Sequence, residues 1–88
     1  MNYRIIISKR ALKELELVPS KPGKQIISAI NHLSVEPRPL GCKKLKGQNE
    51  DFWRIRINDY RVIYLIGDEV KIVEVRRISH RKNIYKDL

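Results

Sequence analysis

Hydrophobic and polar positions change rhythm along this chain, and the changes divide it into elements. Residues 3–7, YRIII, are short and β-branched, which predicts a strand; the nearly unbroken apolar run suggests a central place in a sheet. Ser8 then suits a helix N-cap, and Ala11, Leu12, Leu15 and Val18 recur at helical spacing until Pro19 ends the run. Ser20 followed by Pro22 starts a second helix, because proline is tolerated where a first-turn N–H has no intrahelical partner. Its apolar stripe is Ile26, Ile27, Ile30 and Leu33, stopped before Pro37. Two helices with so short a break predict an antiparallel αα-hairpin.

After a turn-rich link at 38–41 the period falls to two. In residues 52–57, Trp53, Ile55 and Ile57 take one face and Arg54 and Arg56 the other. Asn58-Asp59 is turn chemistry, 61–66 a second strand, Gly67-Asp68-Glu69 a second turn, and 70–78 a third strand, followed by a basic tail over 79–88. The expected fold is α+β: a β-α-α-β-β-β order, with an antiparallel sheet carrying the αα-hairpin on one face and leaving the other open. The 88 residues suit one domain over 1–88, with no repeat, linker or low-complexity stretch.

Composition narrows the function classes. Cys42 is the single cysteine, so disulfides and Cys-rich zinc sites are excluded and a reducing cytoplasm is the expected setting. The longest apolar run, 62–66, has five residues, far short of a membrane span. The opening MNYRIIISKR is too briefly apolar for a signal peptide. Nineteen Lys and Arg against ten Asp and Glu give a net charge of +9, which predicts an anionic partner, nucleic acid foremost. The surplus is concentrated. Residues 76–86 hold five bases (Arg76, Arg77, Arg81, Lys82, Lys86) and no acid, and residues 38–46 hold four (Arg38, Lys43, Lys44, Lys46) and no acid.

If Trp53, Ile55 and Ile57 pack under the helices, Arg54 and Arg56 face solvent, and Arg61, Arg76, Arg77, His80 and Arg81 on neighbouring strands converge with them. Lys44 and Lys46 lead into that face, and Tyr60, Tyr64 and Tyr85 offer rings on which a base could stack. Any one of these arginines is an ordinary wet-face residue; together they are not, because like charges across a sheet repel and guanidinium forks suit phosphate. His80 lies within the basic segment and has the side chain whose ordinary pKa is nearest neutrality, so it is a proton-transfer candidate. His32 reads as a surface residue and Trp53 as a core anchor. Phosphate loops, HExxH and paired carboxylates at metal-ligand spacing are absent from the sequence. Any RNA cleavage would therefore need no metal, and no cofactor is expected.

Three segments carry a resemblance: Phe52-Trp53-Arg54-Ile55-Arg56-Ile57, then Asp59-Tyr60-Arg61-Val62-Ile63-Tyr64, then His80-Arg81-Lys82-Asn83-Ile84-Tyr85. With the opening helix SKRALKELELVP and the step Lys44-Leu45-Lys46-Gly47, the chain resembles the RelE/ParE superfamily of bacterial toxins over its whole length. RelE-like members imply a type II toxin with the RelE-like microbial RNase fold, an mRNA endoribonuclease that cuts in the ribosomal A site. The implied chemistry is attack of the ribose 2′-OH on the adjacent phosphate without metal, which needs a base, an acid and cations for the transition-state charge. By motif match Arg61 and Arg81 would stabilise phosphate and Tyr85 would stack on or orient a base. Lys44, Arg54, Arg56, Arg76, Arg77 and Lys82 would hold RNA. Arg54 and Arg56 stand where the best-known ribosome-dependent members carry lysines, and a guanidinium is a poor base. Lys46 or His80 would then be the base, with Arg81 or His80 as the acid. The implied partners are a cognate antitoxin, the ribosome with its mRNA, and operator DNA reached through the antitoxin. ParE-like members share the scaffold and imply inhibition of DNA gyrase instead. A basic nucleic-acid-binding module without catalysis is the third reading.

Overall fold

The computed structural model describes residues 2–46 and 51–80. The elements are β1 (Arg4–Ile7), α1 (Lys9–Glu16), α2 (Ser20–His32), β2 (Lys43–Lys44), β3 (Phe52–Ile57), β4 (Tyr60–Gly67) and β5 (Ile72–His80). The α+β class and the expected order hold, with the two-residue β2 added. Both helix starts fall where the sequence puts them. Ser8 caps α1, its hydroxyl accepting the Ala11 N–H at 3.1 Å. Pro19 then separates the helices, and its carbonyl accepts the Gly23 N–H at 2.9 Å, closing the first turn of α2.

The strands form one five-stranded sheet in the order β1-β5-β4-β3-β2. The β3-β4-β5 meander is antiparallel, but β1 joins β5 in parallel, Ile5 opposite Val73 and Ile7 opposite Val75, so the sheet is mixed. β1 is an edge strand rather than a central one. Ile5 and Ile7 pack on the core while Ile6 points away, 41% exposed, so three consecutive isoleucines do not signify burial on both faces. Asn58, at φ 55°, makes the tight turn between Ile57 and Tyr60. β5 runs on through Ser79 and His80, which the sequence reading gave to the tail.

The main core lies between helices and sheet: Ala11 from α1, Ile26, Ile30 and Leu33 from α2 and its C-cap, and Ile55, Val62, Tyr64, Val73, Val75 and Ile78 from the sheet. Ile27 departs from its predicted stripe and is 46% exposed. Tyr64 is fully buried; its hydroxyl donates to the Pro37 carbonyl at 2.8 Å, and burial pushes its pKa well above the usual phenol value. It cannot stack on a base. None of the described helices is long and apolar enough to cross a membrane.

Candidate nucleic-acid interface

Strand register decides which cations share a face. On β3, Trp53, Ile55 and Ile57 pack toward the helices, so Phe52, Arg54 and Arg56 take the other side. Directly opposite them on β4 stand Leu65, Ile63 and Arg61. Arg61 in turn faces Ser79 on β5, and Ile63 faces Arg77. The far side of the sheet therefore carries two rows, Arg54–Ile63–Arg77 and Arg56–Arg61–Ser79.

That side is only in part the wet face the alternation suggested: Arg56 is exposed as expected, but its neighbours are largely covered. Phe52 and Ile63 form a second apolar cluster there, with Leu45 and Leu65 at its margin. Arg54, expected to face solvent, is 7% exposed, because it stands beside this cluster and its aliphatic stem can cover apolar surface. The Nε atoms of Arg54 and Arg61 are buried and have no hydrogen-bond partner. Arg56 and Arg61 are a directly opposed pair of like charge, an arrangement that disfavours the sheet unless an anion lies between them. Among the described residues no carboxylate forms an ion pair with Arg54, Arg56 or Arg61.

The other cations divide around this group. Arg77 is buried, and its Nε donates to Glu14 Oε2 at 2.9 Å. Arg76 lies 3.9 Å from Glu74 and 5.8 Å above the Phe52 ring. Lys44 lies opposite Trp53, on the helix side, and pairs with Asp51 at 3.4 Å. The lysine in register with Arg54 is Lys43, which the sequence reading passed over; finding it requires the β2–β3 register, and that depends on the intervening loop. Lys46 is exposed just beyond β2. His80 faces Tyr60, edge-to-face at 5.4 Å, and Tyr60 packs on the main core, so the imidazole is on the opposite side of the sheet from Arg61. Arg81, Lys82 and Tyr85 lie outside the described residues. No group of three or more His, Cys, Asp or Glu among the described residues could hold a metal ion.

A buried Arg54, a half-buried Arg61 and an exposed Arg56, with no carboxylate paired to them among the described residues, can hold phosphate, and the sequence and fold both have known counterparts. Residues 5–85 match the family model described as ParE toxin of type II toxin-antitoxin system, parDE. The chain belongs to the RelE/ParE toxin superfamily. It is 34% identical over 90 residues to the putative toxin RelE1 of Methanocaldococcus jannaschii, covering 99% of each protein. With toxin RelG of Mycobacterium tuberculosis it shares 30% identity over 87 residues, covering 98% of this chain and 99% of RelG. Its fold matches RelE in the crystal structure of the archaeal RelE–RelB complex from Pyrococcus horikoshii at a TM-score of 0.80 and 30% identity, covering 92% of this chain and 97% of that one. The curated relatives carry RelE-type names, and this superfamily member is a type II toxin of the RelE family.

Proposed function

We propose that this toxin is an mRNA endoribonuclease that cuts in the ribosomal A site without metal. The observation that supports this best is the pair of buried, unpartnered guanidinium nitrogens of Arg54 and Arg61, with Arg56 set directly opposite Arg61. In the proposed step the ribose 2′-oxygen attacks the neighbouring phosphorus as its proton leaves. The P–O5′ bond breaks, a 2′,3′-cyclic phosphate forms, and the departing 5′-oxygen takes up a proton. Arg54, Arg56 and Arg61 carry the extra negative charge of the transition state, where fixed cations act most strongly. By the same reading Arg81 adds a phosphate contact or the acid, Tyr85 orients a base, and Lys43, Lys46, Arg76 and Lys82 help hold the message; Lys44, on the helix side, and Arg77, buried against Glu14, are left out of that role. Guanidinium groups stay protonated, so the base is sought among Lys46, His80 and groups of the ribosome. The Tyr60-side position of His80 favours Lys46.

The partner chemistry follows from the same surface. RelE of P. horikoshii forms a complex with RelB, and by that likeness an antitoxin with acidic and apolar side chains would satisfy the arginines here and cover the Phe52–Ile63 cluster. Operator DNA would be reached through that partner, and a toxin acting on ribosomes would act in the cytoplasm. The ParE description of the matched family model supports gyrase inhibition as the second reading.

The test is primer extension on mRNA in ribosomes stalled at a defined codon, with antitoxin-free protein. A single A-site cut that falls by roughly 100-fold or more in Arg61→Ala, at unchanged thermal stability, is the expected result. An intact message, together with blocked gyrase supercoiling, would transfer the arginine face to the second reading.

A further inference from the structure

One edge of β5 is held by a helix where a strand would be expected. β1 ends at Ile7, opposite Val75, so among the described residues no strand pairs with 76–80 on that side. The same stretch contains a register shift: Tyr64 faces Val75 while Ile63 faces Arg77, leaving Arg76 without an opposite residue on β4. β4 still pairs with residues 77–80, so past the bulge the strand is held on one side only and bends unless something bonds its other edge.

Two residues, the N-cap Ser8 and Glu14 of α1, supply the missing bonds. At the start, the Ser8 N–H donates to the Val75 carbonyl at 2.9 Å and its hydroxyl donates to the Arg76 carbonyl at 3.2 Å. Six residues later Glu14 closes the other end of the bulge. Its Oε1 accepts the Ile78 N–H at 2.8 Å, and its Oε2 accepts the Arg77 Nε–H at 2.9 Å. Arg10 stands 3.9 Å from the same Oε2, one helical turn back. The carboxylate thus does what a strand carbonyl would do for Ile78, and also provides the counter-ion that a buried Arg77 needs. The next two residues, Ser79 and His80, face Arg61 and Tyr60.

We infer that Glu14 is a positioning residue: its carboxylate fixes the far half of β5 and so sets the place of the Arg56–Arg61–Ser79 row. It touches no substrate in this arrangement. What the row acts on rests on the reading proposed above, whereas the clamp itself does not. A purely structural carboxylate would, when lost, loosen the whole sheet; a positioning one loosens residues 78–80 and misplaces the arginines.

The experiment compares wild type, Glu14→Gln and Glu14→Ala by amide hydrogen exchange and by A-site cutting over a range of toxin concentrations. In Glu14→Ala, exchange at Ile78 and Ser79 should accelerate at least about tenfold with Val73 unchanged, since local opening is separable from global unfolding. Cutting at saturating toxin should fall up to about 100-fold, because small misplacements of catalytic groups cost that much. The half-saturating concentration should move by no more than about twofold. Glu14→Gln keeps an acceptor for the Ile78 N–H without the charge, and should fall between the two. Unchanged exchange at 78–79, an increase spread evenly over the sheet, or wild-type cutting by Glu14→Ala would overturn the inference. If wild type itself fails to cut, the proposed function falls, and the exchange pattern still decides the role of Glu14.

Discussion

Arg54 is buried to 7% exposure, and its Nε has no acceptor. A cation taken from water without a counter-ion is costly, and apolar replacement of buried charged groups is often stabilising by about 1–4 kcal/mol. Leucine suits this position, next to Ile63 and Phe52. Arg54→Leu is therefore expected to raise unfolding free energy by about 1 kcal/mol in a denaturant titration, while weakening RNA binding and A-site cutting. A loss of stability would mean that Arg54 earns its burial through contacts within the fold, and its assignment to an anion would be withdrawn. The sequence showed which side Arg54 takes but not its burial, because alternation reports direction and is silent about what else occupies that side. The same limit explains Tyr64, whose ring alternates into the core with its hydroxyl held by Pro37, and Lys43, whose register with Arg54 depends on the β2–β3 loop.

At the scale of elements, helix boundaries were readable because Ser8, Pro19 and Pro37 punctuate them with local chemistry. The place of β1 was not readable, since parallel pairing with β5 joins residues almost seventy positions apart and leaves no local mark. Another long-range device ties the strand ends to the link after α2. Arg38 forks onto Asp68 through Nη1 at 3.2 Å and Nη2 at 2.9 Å, the Tyr3 hydroxyl donates to Asp68 at 2.8 Å, and the Arg38 guanidinium lies 5.0 Å above the Trp53 ring. The Arg38 bond first, then that from Tyr3, lowers the Asp68 carboxyl from 3.8 to about 2. A carboxylate with a depressed folded pKa stabilises the fold fully above its unfolded value and loses that contribution as pH falls through the folded one. The expected result is a melting temperature that falls with acid between pH 3.8 and about 2, with a smaller fall in Asp68→Asn, which also starts lower at neutral pH. The difference between the two proteins is the measure. Parallel curves would mean that the exposed fork is too well screened by solvent to matter.

For the molecule as a whole, nineteen cations against ten anions could act in two ways: as a diffuse field that draws the protein toward any polyanion, or through one face that makes counted phosphate contacts. The structure separates these by position. Arg61 sits half-buried opposite Arg56, whereas Lys24 is exposed on α2, on the helix side. For single-stranded RNA, affinity falls with salt on a log–log plot with a slope of about −0.7 per phosphate neutralised. Removing a contact-making cation should therefore make the slope shallower by about 0.7, while removing a distant one should lower affinity slightly at low salt and leave the slope unchanged. Titration of a short unstructured RNA against wild type, Arg61→Ala and Lys24→Ala, at several potassium concentrations, distinguishes the cases. A shallower slope for Arg61→Ala alone places the phosphates on the Arg54–Arg61 face. Equal changes in both variants would make the charge a general attractor, and the buried arginines would then need an anion other than RNA, with an acidic antitoxin segment the first to try.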